Sequence, residues 1–578
     1  MEKISSSTRP GWQDYSESLI VHFRHGESLR QKAQGCLAVD LNQRQLCDLE
    51  LLLNRACYPL SGYLDRADYE SVLDSMRLCD GTPWPIPLCL DLDEKTALAL
   101  TSGQLLALND QEGFLLALLT VRDIWQPDKK REAMQVYGTD DGSRHPGVQQ
   151  LFSQVGPWYV SGTLEGLHLP VHYDFKELRL SPADTHRQFA LNGWRQVIGF
   201  HTEEYLHCAH REMVLHAARE AGANIFLQPV VSLGQYGNLD HYTHVRCYQQ
   251  IAHKFPRNMV LVGLLPMANR WAGPREALWH AIIKRNHGCT HFIVADDHGD
   301  PFASPNGGEQ PLFYPRHAAQ ELVRRFAPET GIAMIPLVRM VYVEDKAQYV
   351  PESQVTGGMQ VKEISSGELK RRLEHDLEIP GWFSYPEVVA ELKRAYPPRS
   401  KQGFTIFISG LSGSGKSTLA RVLLIKFLEM RARPVTLLDG DIVRKNLSSE
   451  LNFSHAHRNL NIIRIGFVAS EITKNGGIAI CAPIAPYEES RQANRELISR
   501  CGGYIEVYMA TPLEVCEQRD RKGLYAKARA GKVQGFTGVS DPYVPPSNPE
   551  LTIDTTTMTP AEAAQEVLLY LEEQGYLR

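Results

Sequence analysis

Gly410-Leu-Ser-Gly-Ser-Gly-Lys-Ser417 is the stretch from which the rest of the chain is read. It follows Phe404-Thr-Ile-Phe-Ile408, an apolar, β-rich run short enough for a buried parallel strand. Beyond it, Leu419, Val422, Leu423 and Phe427 recur at helical spacing, so the loop opens a helix. The pattern is a complete G-x-x-x-x-G-K-[ST] phosphate loop in its proper strand–loop–helix setting. Its glycines (Gly410, Gly413, Gly415) let the backbone curl. The N–H groups from Leu411, Ser412 and Ser414 through Thr418 then face one concavity at a helix N-terminus, which favours a polyphosphate. Lys416 is placed to reach the β- and γ-phosphates, and the Ser417 hydroxyl to ligate Mg²⁺. A nucleoside triphosphate site is therefore expected.

Composition sets the outer bounds. At 578 residues the chain is too long for one core, and roughly two to four domains are expected. Hydrophobic content is 43% and charged content 22%, ordinary values for globular protein. A net charge of −6 gives no electrostatic footprint for nucleic acid or membrane. The eleven cysteines are scattered without a C-x-x-C pair, so neither a zinc ribbon nor a disulfide framework is indicated. The polar start Met1-Glu-Lys-Ile-Ser-Ser and the lack of a long apolar run lead us to expect a cytoplasmic protein.

Up to about residue 170, strand-like runs (84–92 and 113–121) alternate with turn signals, and helical spacing marks Leu46 to Leu53. From 171 to 395 strand and helix alternate: strands over 196–200, 258–265 and 291–295, helices over 210–221 and 274–283. This rhythm predicts a doubly wound parallel sheet with ligands at the carboxyl ends of its strands. Residues 396–403, with Pro397 and Pro398, read as a linker. Over 404–578, strands are expected at 404–408, 435–438, 478–482, 504–509 and 551–553, with helices between.

The second of these C-terminal strands ends in Leu438-Asp-Gly-Asp441, which sets Asp439 and Asp441 beside the phosphate loop. One carboxylate can hold Mg²⁺ or its waters, and the other can orient or deprotonate an acceptor hydroxyl. The basic, glycine-bounded segment from Glu517 to Lys532 is expected as a mobile lid. Gly410–Thr418, Leu438–Arg444, Leu451-Asn-Phe453, Ile484-Ala-Pro-Tyr487, Arg519–Tyr525 and Phe536-Thr-Gly538 together resemble the APS kinase (adenylylsulfate kinase) family. The resemblance implies γ-phosphoryl transfer from ATP to the 3′-hydroxyl of adenosine 5′-phosphosulfate (APS), giving PAPS. It implies Lys416, Asp439 and Asp441 as catalytic residues. Arg444, Arg458, Asn461 and Lys527 would hold phosphosulfate and ribose, and Phe453 and Phe536 would sandwich the adenine. Many relatives carry serine at Ala485; without a hydroxyl there, direct in-line transfer is expected, with no phosphoenzyme. His457-Arg-Asn-Leu-Asn-Ile-Ile-Arg464 also departs from the family's acidic pattern but keeps Arg458 and Asn461.

Residues from about 15 to 390 resemble ATP sulfurylase, through Tyr58-Pro-Leu-Ser-Gly-Tyr63, Met76–Pro87, Ala272-Gly-Pro-Arg-Glu-Ala277, Cys289–Val294 and Ile379-Pro-Gly-Trp-Phe383. The resemblance implies an α/β multidomain chain: a β-rich PUA-like domain (1–170), a Rossmann-like nucleotidyltransferase domain (171–395) and a P-loop kinase domain (404–578). Together the halves resemble the bacterial sulfurylase–kinase fusion, for which a homo-oligomer, dimer or hexamer, is expected. The anion-binding motifs depart from the family. Gln-Thr-Arg-Asn is replaced by His201-Thr-Glu-Glu204, with His207 and His210 kept, and Gly-Arg-Asp-His by Ala295-Asp-Asp-His298. Glu203 and Asp296 thus stand where arginines would face sulfate and phosphate. Each like-charge pair costs on the order of 4 kcal/mol at an effective dielectric near 20. We therefore expect a silent sulfurylase site, with two alternatives open: a bifunctional PAPS synthase, or an N-terminal oligomerisation scaffold or APS sensor. His201, Glu203, Glu204, His207, His210, Asp297, His298 and Asp300 at neighbouring strand ends could hold a divalent metal, the leading alternative being that His207 and His210 are inherited family residues and the acids are solvated.

Overall fold

The computed structural model describes residues 18–231, 239–303, 311–431, 433–520, 523–533 and 535–577. It divides into two units: Met1–Leu369 with Ile379–Ala395, and Lys370–Glu378 with Tyr396–Arg578.

In the first unit, strands β1 (Leu37–Asp40), β2 (Gly62–Tyr63), β3 (Leu90–Leu92), β4 (Leu105–Asn109), β5 (Leu115–Trp125) and β6 (Trp158–Gly166) form one sheet, ordered β1-β4-β5-β6-β2 with β3 also on β6. The strand expected over 84–92 pairs as β3 only from Leu90, because Pro83, Pro85 and Pro87 lack the N–H a ladder needs. The helix expected at Leu46 forms over Gln43–Leu53, closed by a reciprocal capping box between Asn42 and Gln45.

The following α/β region has strands β7 (Val197–Phe200), β8 (Asn224–Leu227), β9 (Val230–Val231), β10 (Val260–Val262), β11 (Leu265–Pro266), β12 (His291–Val294) and β13 (Ala333–Pro336). Five of them make an all-parallel sheet in the order β10-β8-β7-β12-β13. The single strand expected over 258–265 is split, since β10 joins this sheet and β11 pairs with β9. Gly263 lies at the break, where a Cβ would come within 2.9 Å of the Phe226 ring. Three antiparallel strands follow: β14 (Met340–Val343), β15 (Gln348–Pro351) and β16 (Val361–Lys362). Arg270 ties the two regions of this unit together through a buried, two-pronged bond to Asp48, at 2.6 and 2.7 Å.

The second unit holds β17 (Phe404–Gly410), β18 (Val435–Asp439), β19 (Ile478–Ala482), β20 (Gly503–Met509) and β21 (Leu551–Ile553), all parallel, ordered β18-β19-β17-β20-β21. Phe404, Ile406 and Ile408 pack on Leu419, Leu423, Phe427, Val567 and Leu571. Phe407, on the opposite face, packs with Ile462, Ile465 and Ala469. Burial on both faces explains why β17 is continuously apolar rather than alternating. All five carboxyl ends point the same way, so the phosphate loop after β17 and the aspartates after β18 open toward one edge.

Candidate functional site

The loop between β17 and the helix Lys416–Met430 is built for close backbone approach. Gly410, Gly413 and Gly415 have φ of 141°, 80° and 98°, a region that disfavours side chains. A Cβ on Gly410 would meet Met509 O at 2.8 Å, and one on Gly413 would meet Cys516 O at the same distance. Thr511 and Thr555 hydroxyls both donate to Ser414 O, and Tyr525 Oη donates to Ser412 O at 2.8 Å. Arg519 braces Thr555 from behind, at 2.7 and 2.6 Å. Ser414 Oγ is buried without a partner, and Lys416 Nζ donates to Leu411 O at 2.7 Å, closing the loop on itself. Ser417 and Thr418 are exposed at the helix start. Curled glycines, a buried lysine and an exposed hydroxyl on the first turn suit a Mg²⁺-bound nucleotide.

Asp439 caps the helix Gly440–Asn446, its Oδ1 accepting from Asp441 N at 3.0 Å, and Asp441 is exposed on that helix's first turn. The Arg444 guanidinium lies over the Phe453 ring at 4.3 Å. Its pKa is lowered by burial and by the like charge of Arg458. Arg458, itself buried, donates to Thr537 Oγ1 at 2.8 Å, to Gly535 O and to Asp541, which also accepts from Tyr487 Oη at 2.6 Å. Asn461 is buried one turn beyond Arg458 on the same helix, with its Oδ1 unpartnered. Arg458 is already compensated by Asp541, and Arg444 is stacked on Phe453 rather than paired with a carboxylate. An open cleft of about 570 Å³ lies beside Leu411, with Tyr508, Asp541 and Tyr543 in its wall. Phe453 is 66% exposed, and Phe536 meets Tyr525 edge-on at 5.0 Å, so each ring of the expected sandwich is presently engaged elsewhere. Lys527 is exposed on the short helix Leu524–Arg529. Two residues of the expected lid, 521 and 522, lie outside the described residues. Asp541, Tyr487 and Thr537 were not singled out from the sequence, although Tyr487 and Thr537 fall within motifs quoted above.

In the first unit the eight residues that could share a metal do not all converge. His207 Nδ1 pairs with Ser384 Oγ at 2.9 Å, its ring packs on Phe383 at 4.5 Å, and burial pulls its pKa down to about 3. His210 accepts from His207 N and lies 3.3 Å from Glu204. Asp300 accepts from the N–H groups of Phe302 and Tyr314, both at 2.8 Å, so its oxygens serve the loop. Desolvation, then Asp296, raises the Asp297 pKa. His201 instead joins His298 and His280, a residue of the helix Pro274–Asn286 that the sequence reading passed over. Glu203 accepts from Asn269 Nδ2 at 2.6 Å, in surroundings crowded enough to raise its pKa by desolvation. Asp296 is paired with Arg316 at 2.5 Å, so its charge is partly compensated, which lowers the repulsion expected from the sequence alone.

Family models match in three consecutive blocks: a PUA-like domain over residues 15–169, ATP-sulfurylase over 176–395 and adenylylsulphate kinase over 402–554. The sulfate adenylyltransferases of Chaetomium globosum and Mycosarcoma maydis are each 45% identical, over 96% and 95% of this chain and 96% of their own lengths. A solved structure, a hexameric APS kinase from Thiobacillus denitrificans, is similar with a TM-score of 0.79 at 38% identity, covering 97% of this chain and 98% of that one. The chain belongs to the family of ATP sulfurylase–APS kinase fusions, with a PUA-like N-terminus and a P-loop kinase fold at its C-terminal end. Among the described residues, no helix is long and apolar enough to cross a membrane.

Proposed function

We propose that this chain is an adenylylsulfate kinase, transferring the ATP γ-phosphoryl to the 3′-hydroxyl of APS to give PAPS and ADP. The observation that carries the proposal is the phosphate cradle closed by Lys416, on the same unit as the partly buried guanidiniums of Arg444 and Arg458. Guanidinium forks suit the oxygens of a phosphosulfate, and Phe453 and Phe536 supply faces for a base at roughly 1–3 kcal/mol each. Lys416 would leave Leu411 O for the β- and γ-oxygens, where a fixed cation stabilises the charge that develops during transfer. Asp439 and Asp441 would hold the metal's waters and take the proton of the attacking hydroxyl. Mg²⁺, held at Ser417, would neutralise charge across the β/γ bridge.

We further infer that the sulfurylase-like site makes no APS. Glu203 keeps a carboxylate where an arginine is expected, and Arg316 compensates Asp296 without restoring a donor fork at that position. A second reading, a bifunctional PAPS synthase, is supported by relatives named sulfate adenylyltransferase at 45% identity over nearly the whole chain. Assaying both half-reactions on one purified sample separates the two. ADP release that depends on APS, without pyrophosphate release that depends on sulfate, supports the first reading; sulfate-dependent pyrophosphate supports the second. By likeness to the hexameric relative we propose a homo-oligomeric assembly, testable by light scattering. We propose a reducing, cytoplasmic home, since no disulfide joins the cysteines.

A further inference from the structure

We infer that His201, His280 and His298 form a zinc site of this chain, at the carboxyl ends of β7 and β12. One ring nitrogen of each histidine lies within 4.8 Å of one from each of the others. The three rings form a triangle, with centroids 4.8 Å apart for His201 and His280, 5.2 Å for His201 and His298, and 5.1 Å for His280 and His298. His201 and His280 are 8% and 4% exposed, and His201 Nδ1 has no hydrogen-bond partner. A buried imidazole nitrogen left unpaired among other imidazoles is costly, unless something accepts its lone pair.

The chemistry favours a cation. Imidazoles withdrawn from water with no carboxylate bonded to them are neutral donors, the form a metal binds. His280 Nδ1 and His298 Nε2 are 2.8 Å apart, one carrying a proton and the other a lone pair. A tetrahedral zinc at about 2.0–2.1 Å from each nitrogen needs them about 3.3 Å apart, an opening of about half an ångström. With Nδ1 of His280 on the metal, its proton moves to Nε2, which has no partner now and faces Glu276 Oε1 at 3.9 Å. Closing that gap would give the carboxylate–histidine support that metal sites commonly use. Glu276 is not itself a ligand, because both its oxygens accept backbone N–H groups, from Arg270 and Ala272. Lys284, the neighbouring cation, donates to Gln228 Oε1 at 2.7 Å. Three neutral imidazoles are also the donor set of zinc sites that keep a fourth position open. The site depends on the replacement at 201, where the family resemblance expects glutamine.

The test uses the full chain, dialysed against chelator and titrated with Zn²⁺ and, separately, with Co²⁺ as a spectroscopic probe. We expect one metal per chain, a visible Co²⁺ spectrum of nitrogen coordination, and a melting temperature raised by Zn²⁺. His201→Gln, which puts back the expected residue, should weaken binding at least a hundredfold, and His207→Ala should leave it unchanged. Folded wild-type chain that takes up no metal, or His201→Gln that binds as tightly as wild type, overturns the assignment.

Discussion

The chain carries two regions built on parallel sheets, and they differ in what fills the strand ends. In the kinase unit the end of β17 is bare backbone: three glycines with positive φ, a buried lysine and a loop braced by Thr511, Thr555 and Arg519. In the sulfurylase-like region the ends of β7 and β12 are crowded with side chains: His201 and His298, met by His280 from a helix, and the carboxylates Glu203 and Asp296. Both sheets can present a crevice at their carboxyl ends, so topology alone does not separate them. The sign and fixity of the groups at the crevice do.

Removing the cation from the kinase side should have the largest effect. Lys416→Ala is expected to keep the fold and lower PAPS formation by at least about two orders of magnitude, the scale for losing one preorganised charge-stabilising group. APS-dependent ADP release followed by coupled assay checks this, and near-normal turnover would place catalysis elsewhere. Next comes Arg458→Ala, which removes a charge-assisted contact of about 1.5–3 kcal/mol. The KM for APS should rise roughly ten- to hundredfold, with the KM for ATP unchanged; equal changes in both would make Arg458 a structural brace for Gly535, Thr537 and Asp541 instead.

The sulfurylase-like side is tested by an expected null signal. Supplied with APS and pyrophosphate, the chain should form no ATP above background. ATP formation abolished by His207→Ala and untouched by Lys416→Ala would erase the contrast between the regions and establish a bifunctional enzyme. The smallest signal concerns Ala485, which is buried with φ 47° and whose carbonyl accepts from Arg491 Nη1 at 2.6 Å. With no hydroxyl there, incubation with γ-labelled ATP and denaturation should leave no label between residues 483 and 488. A stable phosphoprotein mapping to that segment would sink direct transfer.

Much of the kinase unit was legible because its signals are local. Strand, glycine loop and helix follow within about 25 residues, and each expected strand of the C-terminal sheet formed within two residues of its place. At 84–92 and around Gly263 the apolar content points to single strands, and missing proline donors and local bulk break them.

What the sequence by itself determined is the phosphate loop, the parallel α/β rhythm and the order of the family's motifs. Each of these is a short-range pattern whose physics, glycine φ freedom and apolar period, acts within a few residues. Only the tertiary structure decided which side chains face one another. Asp541 comes to Arg458 across 83 positions, Arg316 comes to Asp296 across 20, and His280 completes the triangle begun by His201 and His298. Those meetings depend on how a helix and two strands pack and on which charges burial forces into pairs, neither of which has a period along the chain.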